Sequence, residues 1–351
     1  MTPKTTRGNF FEDFRPGQEL IHATPRTVTE GDVALYTALY GSRFALASSA
    51  PFAASLGLPQ APLDSMLVFH IVFGKTVPDI SLNAIANLGY AGGRFGAPVF
   101  PGDTLTTTST VIGLRQNKDG KTGVVYVRSV GTNQRGEMVV DYIRWVMVRK
   151  HDPDAPAPEA VVPDLPEAVP VSELVVPYRV ERGSYDTARA GSPFLWDDYE
   201  PGERIDHVDG MTIEEADHML ATRLYQNTAR VHFNQHVERE GRFGRRIVYG
   251  GHIISLARSL SFNGLANALS IAAINGGRHT NPSFAGDTIY AWSTILDRME
   301  LPGRDDIGAL RVRTVATKDR SCADFPDKAA DGSYPPSVVL DFDYTVLMPR
   351  R

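Results

Sequence analysis

Apolar and polar positions along this chain fall into two matched series. In the first, a short extended start leads to a helix entered at Thr29, then an irregular stretch, then a longer apolar helix over roughly residues 63–77. In the second, Thr212-Ile-Glu-Glu215 has the form of a capping box, which marks a helix start. The longer helix of that series falls over roughly 250–268, where Ile253, Ala257 and Leu260 recur at i, i+4 and i+7. Three stretches rich in Thr, Val and Tyr close each series, over 103–113, 123–132 and 138–149 and again over 287–296, 308–317 and 337–348. Turn signals such as Lys118-Asp119-Gly120-Lys121 separate them, so they read as strands. A long helix followed by an antiparallel meander predicts an α+β unit, a curved sheet wrapped round a central helix. Two such units would join their sheets into one, with the two helices back to back.

The correspondence extends to identities. GGRFGAPVFPGDTL at 92–105 returns as GGRHTNPSFAGDTI at 276–289, eight matches in fourteen positions. FEDFRPG at 11–17 returns as WDDYEPG at 196–202, Asp32 as Asp217, and Leu39-Tyr40 as Leu224-Tyr225. A repeat of this length has the size of a domain and is far longer than a solenoid unit. Between the copies, residues 151–177 are acidic and studded with proline, which fixes φ and removes donors; this is a semi-extended connector. The chain therefore divides into a first unit (1–150), a linker (151–180) and a second unit (181–351). An acidic Gly/Pro-containing insertion at 321–336 has no counterpart in the first copy and reads as an elongated hairpin loop.

Composition narrows the function. The net charge of −5 argues against general nucleic-acid binding, which needs a basic face. No run of eighteen apolar residues occurs, so no membrane span is expected, and the first fourteen residues hold no apolar core of signal-peptide length. The single cysteine, Cys322, allows no intrachain disulfide and sits in a polar stretch unlike a catalytic thiol's surroundings. These features fit a cytoplasmic protein.

Differences between the copies point to chemistry. Aligned through Tyr40 and Tyr225, His232 stands where the first copy has Ala47, and Asn227 where it has Ser42. A lone histidine is readily an ordinary half-exposed side chain, but the first copy shows that the scaffold does not need one there. Imidazole can take a proton from water near neutral pH and return it. Tyr249-Gly250-Gly251 opens the second long helix, where the first copy has Asp64-Ser65-Met66. Backbone N–H groups at a helix start lie at the positive end of its dipole and can hold a developing oxyanion; a plain turn is the alternative.

YQNTARVHFNQHVEREGRFGRRIVYGG at 225–251 resembles the hydratase motif of the MaoC-like (R)-specific enoyl-CoA hydratases. His232 falls on that family's motif histidine and Gly250 on its helix-start glycine. The repeated Arg-x-x-x-Pro-x-x-x-Gly-Asp-Thr, at 94–104 and 278–288, resembles the family's strand signature. The resemblance covers both copies and implies a tandem double hotdog. It also implies reversible hydration of an α,β-unsaturated acyl-CoA, with coenzyme A as part of the substrate, no other cofactor, no metal, and a homodimer or higher homo-oligomer. The whole-chain layout looks most like the branch that interconverts mesaconyl-C1-CoA and β-methylmalyl-CoA. In this reading the first unit is catalytically degenerate and shapes the acyl end of the pocket, while the second is catalytic.

The departures matter as much. The family aspartate is Asn227 here, its Asn-Pro is Ala229-Arg230, and its helix-start histidine is Tyr249. His232 would then handle the proton alone, with Asn227 orienting the water and Gly250 and Gly251 holding the thioester oxygen; a carboxylate from Asp217 or Glu214 is the alternative. Tyr249, Arg230, Arg245 and Arg246 are assigned to substrate binding, because arginine suits both an acyl carboxylate and coenzyme A phosphates; Arg242 crowds the same segment. Two other readings stand beside this one. Asp64 at the first long helix start would suit a thioesterase, and Asn227 would suit a non-catalytic acyl-CoA-binding module.

Overall fold

Ten strands form one antiparallel sheet in the computed structural model, which describes residues 4–181 and 183–351. The first copy supplies β1 (Glu19–Thr27), β2 (Ala84–Phe95), β3 (Thr104–Gln116), β4 (Thr122–Thr132) and β5 (Met138–Arg149). The second supplies β6 (Arg204–Thr212), β7 (Ser270–His279), β8 (Thr288–Glu300), β9 (Ile307–Lys318) and β10 (Val338–Pro349). The order across the sheet is β1-β3-β4-β5-β2-β7-β10-β9-β8-β6, so the second half repeats the first in reverse about the β2–β7 seam.

That seam is built from the repeated Gly-Gly-Arg. Tyr90 pairs with Gly277, Ala91 with Gly276 and Gly93 with Ile274, so each copy's glycines lie against the other copy. A Cβ on Gly93 would come 2.9 Å from the Ile274 side chain, a contact too close for any side chain. The sequence reading placed these glycines before a strand and allowed three closing strands per copy. The structure corrects both points: the glycines lie inside β2 and β7, which a glycine-rich composition with low strand propensity conceals.

The first long helix, Ser65–Thr76, is buried on every side from Met66 onward, because the sheet wraps it and the second long helix, Gly250–Leu260, packs against it. A helix buried all round carries little amphipathic stripe. The second helix stops at Leu260, short of the expected 268. Asn263 (ψ 97) and Gly264 (φ 112) break the path, and Ile205 packs where a Gly264 side chain would be.

Helix entry differs between the copies. Thr29 caps the helix Glu30–Tyr40, accepting from the Asp32 N–H, while its own N–H donates to the Asp32 carboxylate. The box expected at Thr212 does not form. Thr212 ends β6 with its hydroxyl 2.9 Å from that of Thr288, and the helix Glu215–Leu224 starts three residues later. Residues 151–177 run over the surface with one bridge to the sheet, Leu114 to Val161. The insertion at 321–336 joins β9 to β10 and covers Trp292, whose indole N–H donates to the Pro326 carbonyl. Among the described residues no helix is long and apolar enough to cross a membrane.

Candidate active site

A cavity of about 390 Å³ opens where the two copies meet. The first copy contributes Phe73, Ser81, Asn87, Tyr90 and Arg144; the second contributes Asn227, His232, Tyr249, Gly250 and His279. Neither Asp217 nor Glu214 lines it, and among the described residues no carboxylate does. A second, smaller cavity of about 60 Å³ lies at the head of the first long helix, lined in part by Val175, Pro177 and Tyr178.

The segment bearing Asn227 and His232 is held by the first long helix. Gly74 lies so close to Tyr225 that an added Cβ would sit 1.8 Å from the Tyr225 carbonyl oxygen. Gln226 is left-handed at φ 52, matching Gly41 (φ 59) in the first copy. A side chain there costs about 1 kcal/mol. Lys75 helps fix it by donating to the Gln226 side-chain Oε1 at 2.7 Å. Asn227 then turns the chain, its side-chain oxygen accepting the Ala229 N–H at 3.0 Å, which leaves its NH2 group for the cavity.

His232 has a defined tautomer. Its Nδ1 lies 3.0 Å from the Ile247 carbonyl, which can only accept, so Nδ1 carries the proton and Nε2 is the free base. Burial lowers its pKa to about 4, keeping the ring neutral at physiological pH. His279 is its neighbour; burial and then the His232 charge lower its pKa to about 4. The His279 Nε2 lies 3.3 Å from the Tyr90 hydroxyl.

Tyr249 stands beside His232, with ring centres 5.6 Å apart, at the head of the second long helix. A buried polar chain positions it. The Tyr249 hydroxyl lies 3.4 Å from His70 Nδ1, His70 Nε2 lies 3.0 Å from Ser255 Oγ, and Ser255 receives the Tyr36 hydroxyl at 3.0 Å. The helix-start glycines are required by packing. A Cβ on Gly250 would fall 2.5 Å from the His279 ring, and one on Gly251 would fall 2.3 Å from the Tyr249 ring. Gly250 lines the cavity; Gly251 is covered by Tyr249 and His70.

The arginine assignments need correction. Arg246 ion-pairs with Glu215, Arg245 stacks on Phe284 at 3.9 Å, and Arg230 is exposed; none of the three lines the cavity. Arg242 does, at the exposed mouth. Asp64 is also displaced from chemistry. It caps the first long helix by accepting the Met66 N–H at 2.8 Å and faces the small second cavity with Arg258. Burial raises its pKa, and a carboxyl so occupied does not suit the thioesterase role.

Two residues of the cavity escaped the sequence reading. His279 stands opposite Phe95 within the best-matched stretch of the repeat, so the comparison that found His232 could have found it. Arg144 occupies an inward position of β5 between buried Tyr142 and Val146, where β10 has Tyr344. A charge in the inward register of a strand was the available signal.

Fold and site together define a fused double hotdog whose candidate site lies where the two copies meet. A family model described as MaoC like domain matches residues 12–133, within the first copy. The chain is 81% identical over 351 residues to the beta-methylmalyl-CoA dehydratase of Chloroflexus aurantiacus, covering all of both chains. It is 58% identical over 349 residues to the mesaconyl-CoA hydratase of Cereibacter sphaeroides, covering 99% of this chain and 100% of that one. A crystal structure of a MaoC domain protein from Chloroflexus aurantiacus superposes with a TM-score of 0.98 at 80% identity, covering 100% of each chain. A Mycobacterium tuberculosis protein described as a double hotdog superposes at 0.76 with 27% identity, covering 97% of this chain and 99% of that one. The chain belongs to the MaoC-like dehydratase family and is a hydro-lyase.

Proposed function

We propose that the cavity hydrates mesaconyl-C1-CoA reversibly to β-methylmalyl-CoA; the two curated relatives are named for beta-methylmalyl-CoA dehydration and mesaconyl-CoA hydration. The observation that carries the chemistry is the neutral His232, its Nδ1 tied to the Ile247 carbonyl, in a cavity without carboxylates. A base is needed to make water nucleophilic, and this imidazole is unprotonated at working pH. Asn227 donates its NH2 to the water oxygen while the water donates to His232 Nε2. The oxygen bonds to C3, the carbon β to the thioester, and the electron pair of the double bond moves onto the thioester oxygen. The Gly250 N–H, at the positive end of the helix dipole, receives that charge, with Gly251 adding to the same dipole. The imidazolium then returns its proton to C2, so the elements of water are added and the base is restored.

In this reading the second copy is catalytic, and the first has lost its site and walls the acyl end. Coenzyme A enters as part of the substrate and no other cofactor is called for. The protein acts in the cytoplasm, a reading that rests on its composition, and as a homodimer or higher homo-oligomer, a reading that rests on the family resemblance alone.

The test follows the enoyl-thioester absorbance of purified protein offered mesaconyl-C1-CoA or crotonyl-CoA, with a thiol reagent present. Loss of the band without free thiol, faster for the branched diacid, is the expected result. Thiol release would move the assignment to thioester hydrolysis, and an unchanged band with both substrates would refute hydration.

A further inference from the structure

One charged residue facing the cavity lacks a counter-charge. Arg144 is 0% exposed and lines the cavity from β5. Its Nη2 donates to Thr76 Oγ1 at 2.8 Å and to Ser81 Oγ at 3.3 Å, and the guanidinium stacks over Phe73 at 4.2 Å. Its Nε and Nη1 have no partner. The titratable groups acting on it are the phenols of Tyr142, Tyr90 and Tyr249, which burial keeps neutral, with no carboxylate among them. Burying a cation without an anion is costly, so a fold that retains one has a use for it.

The other buried arginine shows the contrast. Arg258, at the small second cavity, has the Asp64 carboxylate as a neighbour and gives its Nη2 to the Ala268 carbonyl at 2.7 Å. Arg258 Nη1 is unpartnered too, but Arg144 lacks the carboxylate neighbour that Arg258 has. On β2, opposite Val146 and so two residues along from Arg144, Asn87 also lines the cavity, with both its amide nitrogen and oxygen buried and unpartnered among the described residues. Two side chains lining one cavity with polar atoms unpartnered among the described residues describe a polar subsite.

We infer that Arg144, supported by Asn87, binds the free carboxylate of a dicarboxylic acyl-CoA and selects for it. The inference rests on the hydratase reading and adds the subsite that sets its substrate class. The geometry suits that class. Arg144, Tyr249 and His232 line the same cavity, with the His232 and Tyr249 ring centres 5.6 Å apart. In the substrate the carboxylate is attached to C3, the carbon that takes the water, so its anchor must lie near the base. An unneutralised carboxylate there would also repel the incoming oxygen, and a guanidinium removes that repulsion. The subsite belongs to the first copy, the one without the histidine.

The experiment uses full-length wild type, Arg144→Met and Arg144→Lys, with folding checked by circular dichroism and melting. Binding is read with two thioesters that cannot be hydrated, methylsuccinyl-C1-CoA and butyryl-CoA, alongside turnover of mesaconyl-C1-CoA. Arg144→Met is expected to weaken methylsuccinyl-C1-CoA at least about 100-fold, while butyryl-CoA changes by less than about threefold. Arg144→Lys, which keeps the charge and loses the guanidinium geometry, is expected to fall between them. Equal weakening of both ligands would make Arg144 structural, and no weakening of either would remove it from the pocket; each result overturns the inference. If Arg144→Met fails to fold, the Lys variant carries the same comparison, and unchanged selectivity there counts against it. Because the ligands are inert, a wild type that discriminates between them without hydrating mesaconyl-C1-CoA would sink the hydratase reading and leave the subsite standing.

Discussion

The hydroxyls of Tyr40 and Tyr225, 185 residues apart in the chain, lie 2.7 Å from each other in the buried centre of the protein. Each is the other's counterpart in the repeat, and equivalent residues can touch only on the local two-fold axis. His70 and Ser255, also 185 apart, meet in the same way at 3.0 Å. The axis runs between the two long helices and through the β2–β7 seam. The polar groups along it reach Tyr249 in the cavity, so the join between the copies also supports the site.

The Tyr40 hydroxyl also lies 3.0 Å from His252 Nδ1, whereas Tyr225 has only Tyr40. Removing the Tyr40 hydroxyl strands two buried partners, and removing that of Tyr225 strands one. A stranded buried group costs about 1–3 kcal/mol. Tyr40→Phe is therefore expected to lower the urea midpoint more than Tyr225→Phe. Equal losses would show that the His252 contact contributes nothing.

His232→Ala is expected to lower kcat by about 100- to 10,000-fold, the range for loss of a general base. Binding of butyryl-CoA should be nearly unchanged, because the imidazole acts on water. Retained turnover at wild-type rate would remove His232 from the mechanism and leave His279 as the base.

The same imidazoles set the response to pH. The kcat/KM of the free enzyme should hold down to the His232 pKa of about 4, well below the ordinary histidine value. A limb centred near 6.5 with native fold intact would show that His232 is not the neutral base assigned to it.

Stability follows the same groups in the opposite sense to a stabilised cation. His232, His279 and His207 have folded pKa values of about 4, and His70 and His252 of about 3, all lowered by burial. The unfolded chain takes up these protons near 6.5. Their contribution to stability is complete above about pH 6.5 and drains away as the pH falls toward the folded values. Urea midpoints should fall steeply from pH 6.5 to pH 5; a flat profile would contradict the burial of neutral rings.

Gly74→Ala should damage the site from the other copy. Helix propensity alone would favour alanine by about 1 kcal/mol. Its Cβ, however, would meet the Tyr225 carbonyl oxygen at 1.8 Å, and overpacking of this kind costs about 1–3 kcal/mol. Displacement of Tyr225 moves Asn227, so kcat should fall together with Tm. A variant as stable and active as wild type would show that the segment is not held there.

The sequence alone determined the fact of two copies and, in each, the long helix and the three closing strands; it missed β2 and β7. Helix and strand periods are local properties, and identities such as Gly-Asp-Thr at 102–104 and 286–288 survive wherever the chain goes. It also singled out His232 as a candidate, because the comparison with Ala47 needs only an alignment. Tertiary structure decided which polar residues share a cavity. Arg246 lies four residues from Gly250 in the chain yet turns away to Glu215, while Arg144, more than eighty residues from His232, reaches the same cavity. Spacing along a loop says nothing about which way a flexible side chain points. The join of two sheets at a glycine seam, which brings β5 of one copy near the helix head of the other, exists only once both copies have folded and paired.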